Sequence, residues 1–231
     1  LDLGNALETH LRAYADKTVE IVTGEKVLKV SKVESGFEIE TNKNKFEAKT
    51  VLVATGSTRR KLDIAGAQEF ENKGITYCAS CDGPLFSDQD VVVVGGGNAG
   101  FESAAQLLAY CKSVTLLNRS DVIKADEATV EEVSAHPNFK LIKNATLLEV
   151  KGGQFVSSIT YATESGEKVE LTVTGVFVEI GLIPTTSFVE GLIELNQYKL
   201  IPVDAKNQKT KVEGVWAAGD CTDGLYHQNN I

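Results

Sequence analysis

The strongest constraint on the fold is a buried strand that leads directly into a glycine-rich turn and a helix. Asp90 is followed by four valines and then by Gly95-x-Gly97-x-x-Gly100. The next segment, FESAAQLLAY (101–110), has the spacing of an amphipathic helix, and SVTLLN (113–118) is typical of a second strand. Strand, turn, helix and strand in this order predict a βαβ unit and therefore an α/β fold with a parallel sheet.

The spacing of the glycines predicts a dinucleotide-binding loop. The first glycine allows a tight turn, the second lets the backbone approach a pyrophosphate, and the third lets the helix pack on the strand. The alternative is a glycine-rich turn without a ligand, but the preceding valine strand and the following helix favour binding. The candidate binding residues are Gly95, Gly96, Gly97, Asn98, Ala99 and Gly100.

The residue that contacts the adenosine ribose is expected at the end of the second strand, about 20 residues further on. That position is occupied by Asn118, followed by Arg119. An acidic residue would have indicated NAD, whereas Arg119, with Lys124 nearby, is able to meet a 2′-phosphate. The cations are equally explained as ordinary surface residues. The sequence therefore leaves NADH and NADPH open.

A second motif, Cys78-Ala-Ser-Cys81-Asp82, precedes the βαβ unit by a few residues. In a helical turn, residues three apart lie close enough for a modest adjustment to join their sulfurs. A cysteine at a helix N-terminus also forms a thiolate more readily, and Asp82 can exchange protons with such chemistry. The alternatives are an inert buried pair or half of a metal site. Since Cys111 and Cys221 form no second pair, no metal site is predicted.

Composition excludes several classes of protein. The chain has 231 residues, a formal net charge of −9 and 42% hydrophobic residues. Such a chain builds a proper core, while its acidity argues against nucleic acid or an anionic membrane as a partner. No apolar run approaches the roughly 18 residues of a membrane span. Four cysteines with one close pair predict a reducing, cytoplasmic location.

The rest of the chain alternates between helical and strand patterns. Residues 3–15 have helical spacing, and residues 139–180 and 214–220 predict strands. The segments 18–24, 26–33, 36–41 and 45–50 alternate as half-exposed strands do, whereas the apolar run 50–56 is typical of a fully buried strand. GLIP (181–184) is predicted to break the second strand region.

Taken together, these motifs resemble one family, the low-molecular-weight thioredoxin reductases with the related flavoprotein subunit of alkyl hydroperoxide reductase. These are class II pyridine nucleotide-disulfide oxidoreductases. The resemblance covers almost the whole chain, and CDGPLF, IKAD and GDCT are closer to the peroxiredoxin-reducing branch. The matching strings are VATG (53–56), GITYCASCDGPLF (74–86), VVVVGGGNAGFESA (91–104), VTLLNR (114–119), FVEIGLIPTT (177–186) and GVWAAGDCTDGLYHQ (214–228).

The resemblance implies an enzyme that passes hydride from NADH or NADPH to FAD and then electrons to a dithiol. Cys81 would lie against the flavin, Cys78 would attack the disulfide of a thioredoxin- or peroxiredoxin-type partner protein, and Asp82 would be the acid. The family is commonly homodimeric. The residues implied at the FAD site are Thr55, Gly56, Gly219, Asp220, His227 and Gln228.

The resemblance also implies two Rossmann-like domains. Residues 65–184 would form the NAD(P)-binding domain, and residues 1–64 with 185–231 a discontinuous FAD-binding domain. The GxGxxG unit that opens the family's FAD domain has no counterpart in the sequence, so this domain is predicted to be incomplete and to hold FAD poorly. A purified chain that is yellow with stoichiometric flavin would contradict that expectation. The alternative function is a degenerate NAD(P)-binding module without flavin turnover.

Overall fold

The computed structural model describes residues 2–15 and 18–224. Two compact units form: the chain up to Thr58 together with the chain from Pro184 onward, and the continuous segment Arg59–Ile183. The helices are α1 (Asp2–Ala15), α2 (Ala79–Asp82), α3 (Asn98–Leu108) and α4 (Glu127–Ser134). The strands are β1 (Val27–Val33), β2 (Gly36–Thr41), β3 (Lys45–Ala48), β4 (Val51–Val53), β5 (Ser57–Arg59), β6 (Ile75–Thr76), β7 (Asp90–Val94), β8 (Ser113–Leu117), β9 (Phe139–Ile142), β10 (Thr146–Gly152), β11 (Val156–Ala162), β12 (Lys168–Thr172), β13 (Gly175–Val178), β14 (Leu182–Pro184) and β15 (Val215–Ala217).

The continuous unit is built on a five-stranded parallel sheet with the order β6-β13-β7-β8-β9. β7, α3 and β8 form the predicted βαβ unit, and the α/β class predicted from the sequence is confirmed. The valines of β7 are almost completely buried, as expected for a central parallel strand that is covered on both faces.

Each face of this sheet packs against a different layer. On one face, Val91 and Val93 pack in a cluster with Phe101 and Leu107 of α3. On the other face, Val92 packs in a cluster with residues of the antiparallel sheet β10-β11-β12. Because successive side chains of a strand point to opposite faces, four adjacent valines serve both cores.

The other unit contains an antiparallel sheet, β1-β2-β3, and a parallel pair, β4 and β15. Phe37, Val53, Ile201 and Val215 contribute to its buried core. The parallel pairing brings the carboxyl ends of β4 and β15 to the same edge, where the VATG and AAGD segments follow. β5 and β14 pair as a two-stranded sheet.

Three expectations from the sequence were wrong in detail. Residues 18–24 form no strand, and Thr18 and Val19 instead donate to the Ala15 carbonyl at the end of α1. GLIP does not simply interrupt the strands, because it contributes β14. Leu52 of β4 is 67% exposed, since no layer in the described part of the chain covers its side chain.

Replacing Thr160 by valine is expected to raise the free energy of unfolding by about 1 kcal/mol, because the hydroxyl of Thr160 is buried without a hydrogen-bond partner in the described residues. Valine fills nearly the same space and suits a strand. Ser158→Ala on the same strand is the control. It is expected to lower the free energy of unfolding, since the Ser158 hydroxyl donates to Glu170 at 2.7 Å. Urea unfolding measures both variants, and a destabilised T160V would contradict the prediction.

Candidate functional site

The glycine loop between β7 and α3 is shaped by two close backbone contacts. Gly95 has φ +126°, and a Cβ atom there would lie 2.2 Å from the carbonyl oxygen of Glu179. A Cβ atom on Gly100 would lie 1.9 Å from the carbonyl oxygen of Gly95. These two positions therefore admit only glycine without a shift of the backbone.

Gly97 differs from these glycines because its side-chain position faces open space. No atom in the described residues lies within 4 Å of a Cβ atom built on Gly97. Gly97 is also the N-cap of α3 and offers no side-chain hydrogen bond to the helix. The first N–H groups of a helix have no acceptor within the helix, and the helix dipole favours negative charge there. The loop thus fits the pyrophosphate of a dinucleotide.

Two asparagines hold the segment after β8 against this loop. The Asn118 amide donates to the carbonyl oxygens of Ser120 and Val122 at 2.8 and 2.9 Å, and its side chain is buried. Asn98 Oδ1 accepts from the Asp126 N–H at 2.7 Å. Asn118 and Asn98 therefore shape the loop.

The cations of this segment are placed differently from Asn118. The Arg119 and Lys124 side chains are exposed, and the backbone N–H of Lys124 donates to the Gly96 carbonyl oxygen at 3.1 Å. They are the cations of this segment that can face the adenosine half of a dinucleotide.

The sheet order places a switch point beside the loop. From β7 the chain proceeds through α3 to β8 on one side, while β13 lies on the other side. In open parallel sheets, ligands bind at the carboxyl ends of the strands that flank such a point. Gly95 follows β7 and Glu179 follows β13, so both residues border this crevice.

Glu179 is a functional candidate that the sequence analysis missed. Its side chain is 5% exposed, and its carboxylate accepts from Ser103 Oγ at 2.7 Å and from the Arg59 guanidinium at 2.8 Å. The signal in the sequence was a single acidic residue in the otherwise apolar run GVFVEIG. A buried carboxylate is costly, so its place beside the loop calls for an explanation.

Replacing Glu179 by glutamine is expected to stabilise the fold increasingly as the pH rises. Burial raises the pKa of the Glu179 carboxyl group above the usual 4.5, although Ser103 and Arg59 act in the opposite direction. When the pKa of a carboxyl group is higher in the folded than in the unfolded chain, the unfolded chain loses its proton first. The fold is then destabilised as the pH rises from the pKa of the unfolded chain to the pKa of the folded chain. We therefore expect the difference in unfolding free energy between E179Q and the unmodified chain to grow across that interval. Urea titrations at several pH values measure it, with the exposed Glu69→Gln as the control, and a constant or shrinking difference would count against the prediction.

The dithiol occupies the start of the short helix α2. Cys78 is its N-cap residue, the Cys81 N–H donates to Cys78 Sγ at 3.1 Å, and the two sulfurs form a disulfide bond. Cys81 is exposed and Cys78 is half-buried, so a reagent reaches the pair from solvent. By contrast, Cys111 is buried, and burial raises the pKa of its thiol to about 11. The dithiol is thus the reactive pair, and Cys111 is inert.

Asp82 follows Cys81 and ends α2. Its carboxylate accepts a hydrogen bond from the hydroxyl of Thr76, the last residue of β6. The neighbouring Tyr77 hydroxyl donates to Glu71 at 3.0 Å, and burial followed by this bond raises the Tyr77 pKa to about 12. The proposed acid on α2 is therefore tied by this hydrogen bond to β6, the edge strand of the parallel sheet.

The dithiol and the glycine loop contact different parts of α3. Ser80, between the two cysteines, donates to Gln106 at 2.7 Å, whereas the loop joins α3 at Asn98. Eight residues of helix correspond to about 12 Å along the axis. The loop and the dithiol are therefore anchored at opposite ends of the same helix.

The residues that the resemblance implies at a flavin site lie at the shared edge of β4 and β15. Gly56 and Gly219 have φ +60° and +79°, and no described atom lies within 4 Å of a Cβ atom built on either. Thr55 Oγ1 donates to the Thr185 carbonyl oxygen at 2.6 Å, so its side chain fixes the backbone, and Asp220 follows Gly219. This open, glycine-bordered edge fits one part of a flavin nucleotide. His227 and Gln228 lie outside the described residues.

Two searches of the described residues gave no further class of site. No group of three or more His, Cys, Asp or Glu side chains in residues 2–15 and 18–224 is arranged to hold a metal ion. No helix in this part of the chain is both long and apolar enough to cross a membrane.

Comparison with known proteins adds independent evidence. The model of the pyridine nucleotide-disulphide oxidoreductase family matches residues 3–230. The chain is 41% identical to an NADH dehydrogenase of Bacillus subtilis (strain 168) over 98% of its own length and 44% of that protein. It is 38% identical to an alkyl hydroperoxide reductase component of Staphylococcus aureus (strain Mu50 / ATCC 700699), with coverage of 95% and 44%. The chain thus spans less than half the length of these relatives.

Solved structures show the same fold. The thioredoxin reductase of T. acidophilum superimposes with a TM-score of 0.76 at 36% identity, covering 97% of this chain and 74% of that one. The thioredoxin reductase of Lactococcus lactis in the FR conformation gives a TM-score of 0.76 at 30% identity, covering 88% and 68%.

Proposed function

Because the chain belongs to the pyridine nucleotide-disulphide oxidoreductase family, we propose that it passes electrons from NADH or NADPH, through FAD, to the Cys78–Cys81 disulfide. The reduced dithiol then reduces the disulfide of a thioredoxin- or peroxiredoxin-type protein. The relatives named as components of alkyl hydroperoxide reductase and the motif CDGPLF support the peroxiredoxin-type partner.

One observation carries the proposal: an exposed CxxC disulfide and an intact dinucleotide loop lie in the same compact unit. A protein that only binds a dinucleotide has no need of the dithiol. A dithiol protein without nicotinamide chemistry has no need of glycines packed as tightly as Gly95 and Gly100.

The residues of the chain have distinct roles in this proposal. Gly97 and the N-terminus of α3 bind the nicotinamide dinucleotide pyrophosphate, and Arg119 and Lys124 lie on the adenosine side. Cys78 attacks the partner disulfide, Cys81 exchanges electrons on the flavin side, and Asp82 supplies or takes the proton.

Thr55, Gly56, Gly219 and Asp220 are proposed to hold part of FAD, at the edge where two glycines leave room for backbone contact. When bound, FAD supplies the chemistry that converts a two-electron hydride donor into a reductant for a disulfide. The role of His227 and Gln228 beside the flavin also belongs to this proposal.

The domain limits, assembly and location follow the same interpretation. We propose a nicotinamide domain at 65–184 and an FAD domain formed by 1–64 and 185–231. We propose a reducing compartment such as the cytoplasm, because thiols are kept reduced there and the dithiol must return to its reduced form in each cycle. The resemblance also implies a homodimer, which light scattering after size-exclusion chromatography tests directly.

The decisive experiment counts thiols. The oxidised chain is mixed under argon with excess FAD and either NADH or NADPH, then denatured and titrated with a thiol reagent. Cys111 and Cys221 give two thiols before reaction. We expect four after it, because reduction opens the disulfide. A count that stays at two with both nucleotides in a chain whose flavin fluorescence shows that FAD is bound, while a phosphine reductant raises it to four, would refute the proposal.

A second candidate function is a dinucleotide-binding module without turnover, favoured by the open space beside Gly97, which a pyrophosphate can fill whether or not a flavin is bound. It predicts saturable binding of NADH or NADPH together with an unchanged thiol count.

A further inference from the structure

We propose that Thr76 is a positioning residue for the dithiol: its hydroxyl group holds the Asp82 carboxylate in place beside Cys78 and Cys81. This inference rests on the function proposed above, in which Asp82 exchanges a proton with the dithiol. It assigns a role to a residue that lies outside both the CxxC motif and the dinucleotide loop.

Thr76 belongs to the rigid frame of the unit, whereas Asp82 does not. Thr76 is 8% exposed and pairs with the fully buried Phe177 of β13 in the parallel sheet. Asp82 ends α2, a helix of four residues, which is too short to be stable by itself. A hydrogen bond from Thr76 on the sheet therefore restricts the position of the Asp82 carboxylate.

The contacts of the Thr76 hydroxyl reach both parts of the motif. Its oxygen donates to Asp82 Oδ2 and accepts from the backbone N–H of Cys78 at 3.4 Å. One proton and two lone pairs satisfy both contacts at once. In the described part of the chain no other side chain hydrogen-bonds the Asp82 carboxylate, so Oδ1 has no side-chain partner there.

The neighbouring side chains engage other partners. From the same strand region, the Tyr77 hydroxyl donates to Glu71, which also pairs with Lys61 at 2.8 Å. On α2, Ser80 donates to Gln106 of α3. Among the described residues, no charged side chain forms an ion pair with Asp82. The Asp82 carboxyl group, adjacent in sequence to Cys81, therefore has no cation bound to it in the described part of the chain.

The chemistry balances with Asp82 as the proton carrier. Reduction breaks the Cys78–Cys81 S–S bond, consumes two electrons and two protons, and forms two S–H groups. The hydride of the reduced nicotinamide would supply, through FAD, both electrons and one of the two protons, and the second proton would come from solvent by way of Asp82. When the partner disulfide oxidises the dithiol, the two protons pass to the two sulfur atoms of the partner. Thr76 shares its proton with the carboxylate and does not transfer it.

The test measures the pH dependence of thiol alkylation and needs no flavin. The chain is reduced with a phosphine, and the rate of modification of Cys78 and Cys81 by iodoacetamide is followed from acid to alkaline pH by mass spectrometry. A carboxylate held beside a thiol opposes thiolate formation, so its loss lowers the midpoint. Asp82→Asn is therefore expected to lower the midpoint by about 0.5 pH unit or more.

Thr76→Val is expected to lower the midpoint by at least half of the Asp82→Asn shift, because the released carboxylate turns towards solvent. Thr76→Ser, which keeps the hydroxyl, is expected to keep the original midpoint. Thr76→Ala replaces Thr76→Val in this test if valine prevents folding. Thr160→Val is the matched control for the loss of a buried threonine hydroxyl. Far-UV circular dichroism confirms that each variant is folded.

The outcomes separate the two claims. A shift in D82N with an unchanged midpoint in T76V and T76A would overturn the role of Thr76 and leave Asp82 as the acid. An unchanged midpoint in D82N would overturn the proton-exchange role of Asp82, and the role of Thr76 with it. Equal shifts in T76S and T76V would show that packing, and not the hydroxyl, is responsible.

Discussion

Replacing Gly100 by alanine is expected to lower the free energy of unfolding by about 3 kcal/mol, whereas Gly97→Ala leaves it within about 0.5 kcal/mol of the original. Alanine in a helix interior is favoured over glycine by only about 1 kcal/mol. A Cβ atom at position 100 would lie 1.9 Å from the Gly95 carbonyl oxygen, so the clash outweighs that gain. At position 97 the φ angle is −96° and the space is open.

Gly97→Ala is expected to weaken the binding of NADH or NADPH at least tenfold, which corresponds to about 1.4 kcal/mol. The added methyl group stands between the backbone and the pyrophosphate, at the position where the fold itself leaves room. Calorimetric titration of the folded variant measures the affinity, and urea unfolding of G97A and G100A measures stability. Unchanged binding by G97A would show that the pyrophosphate does not approach this glycine.

Replacing Cys78 by serine is expected to lower nicotinamide-dependent reduction of the partner disulfide by about 10³-fold or more, since the attacking thiolate is removed. Cys81→Ser is expected to be equally inactive but to form a lasting mixed disulfide through Cys78, because no second thiol remains to release it. Non-reducing electrophoresis detects this adduct.

The matched control for both variants is Cys111→Ser. This thiol is buried on the α3 side of the sheet, its pKa is raised by burial, and its loss should leave the rate unchanged. Full activity in C78S would exclude the dithiol route. A mixed disulfide formed by C78S instead of C81S would show that Cys81, and not Cys78, attacks the partner.

Much of the fold around the glycine loop was predictable because its signals are local. Four valines, three spaced glycines and an amphipathic helix are contiguous, and each constrains the same βαβ unit. The same holds for the i, i+3 cysteines, whose pairing needs only one helical turn.

The parts of the site that depend on distant contacts were not predictable. Glu179 and Ser103 are 76 residues apart, and no local pattern joins them. Thr76 lies six residues before Asp82, but the bond requires both the strand edge and the short helix to form. Asn118 stays a prediction for the ribose, but the sequence did not predict that its amide would be engaged by Ser120 and Val122, because that contact requires the following loop to turn back on it.

The spacing along α3 means that one helix anchors both motifs at separate points. Ser80 meets this helix at Gln106, eight residues beyond its first residue, Asn98. A substitution that shifts α3 as a whole therefore displaces the glycine loop and the dithiol together, whereas a substitution at either end of the helix reaches a single motif.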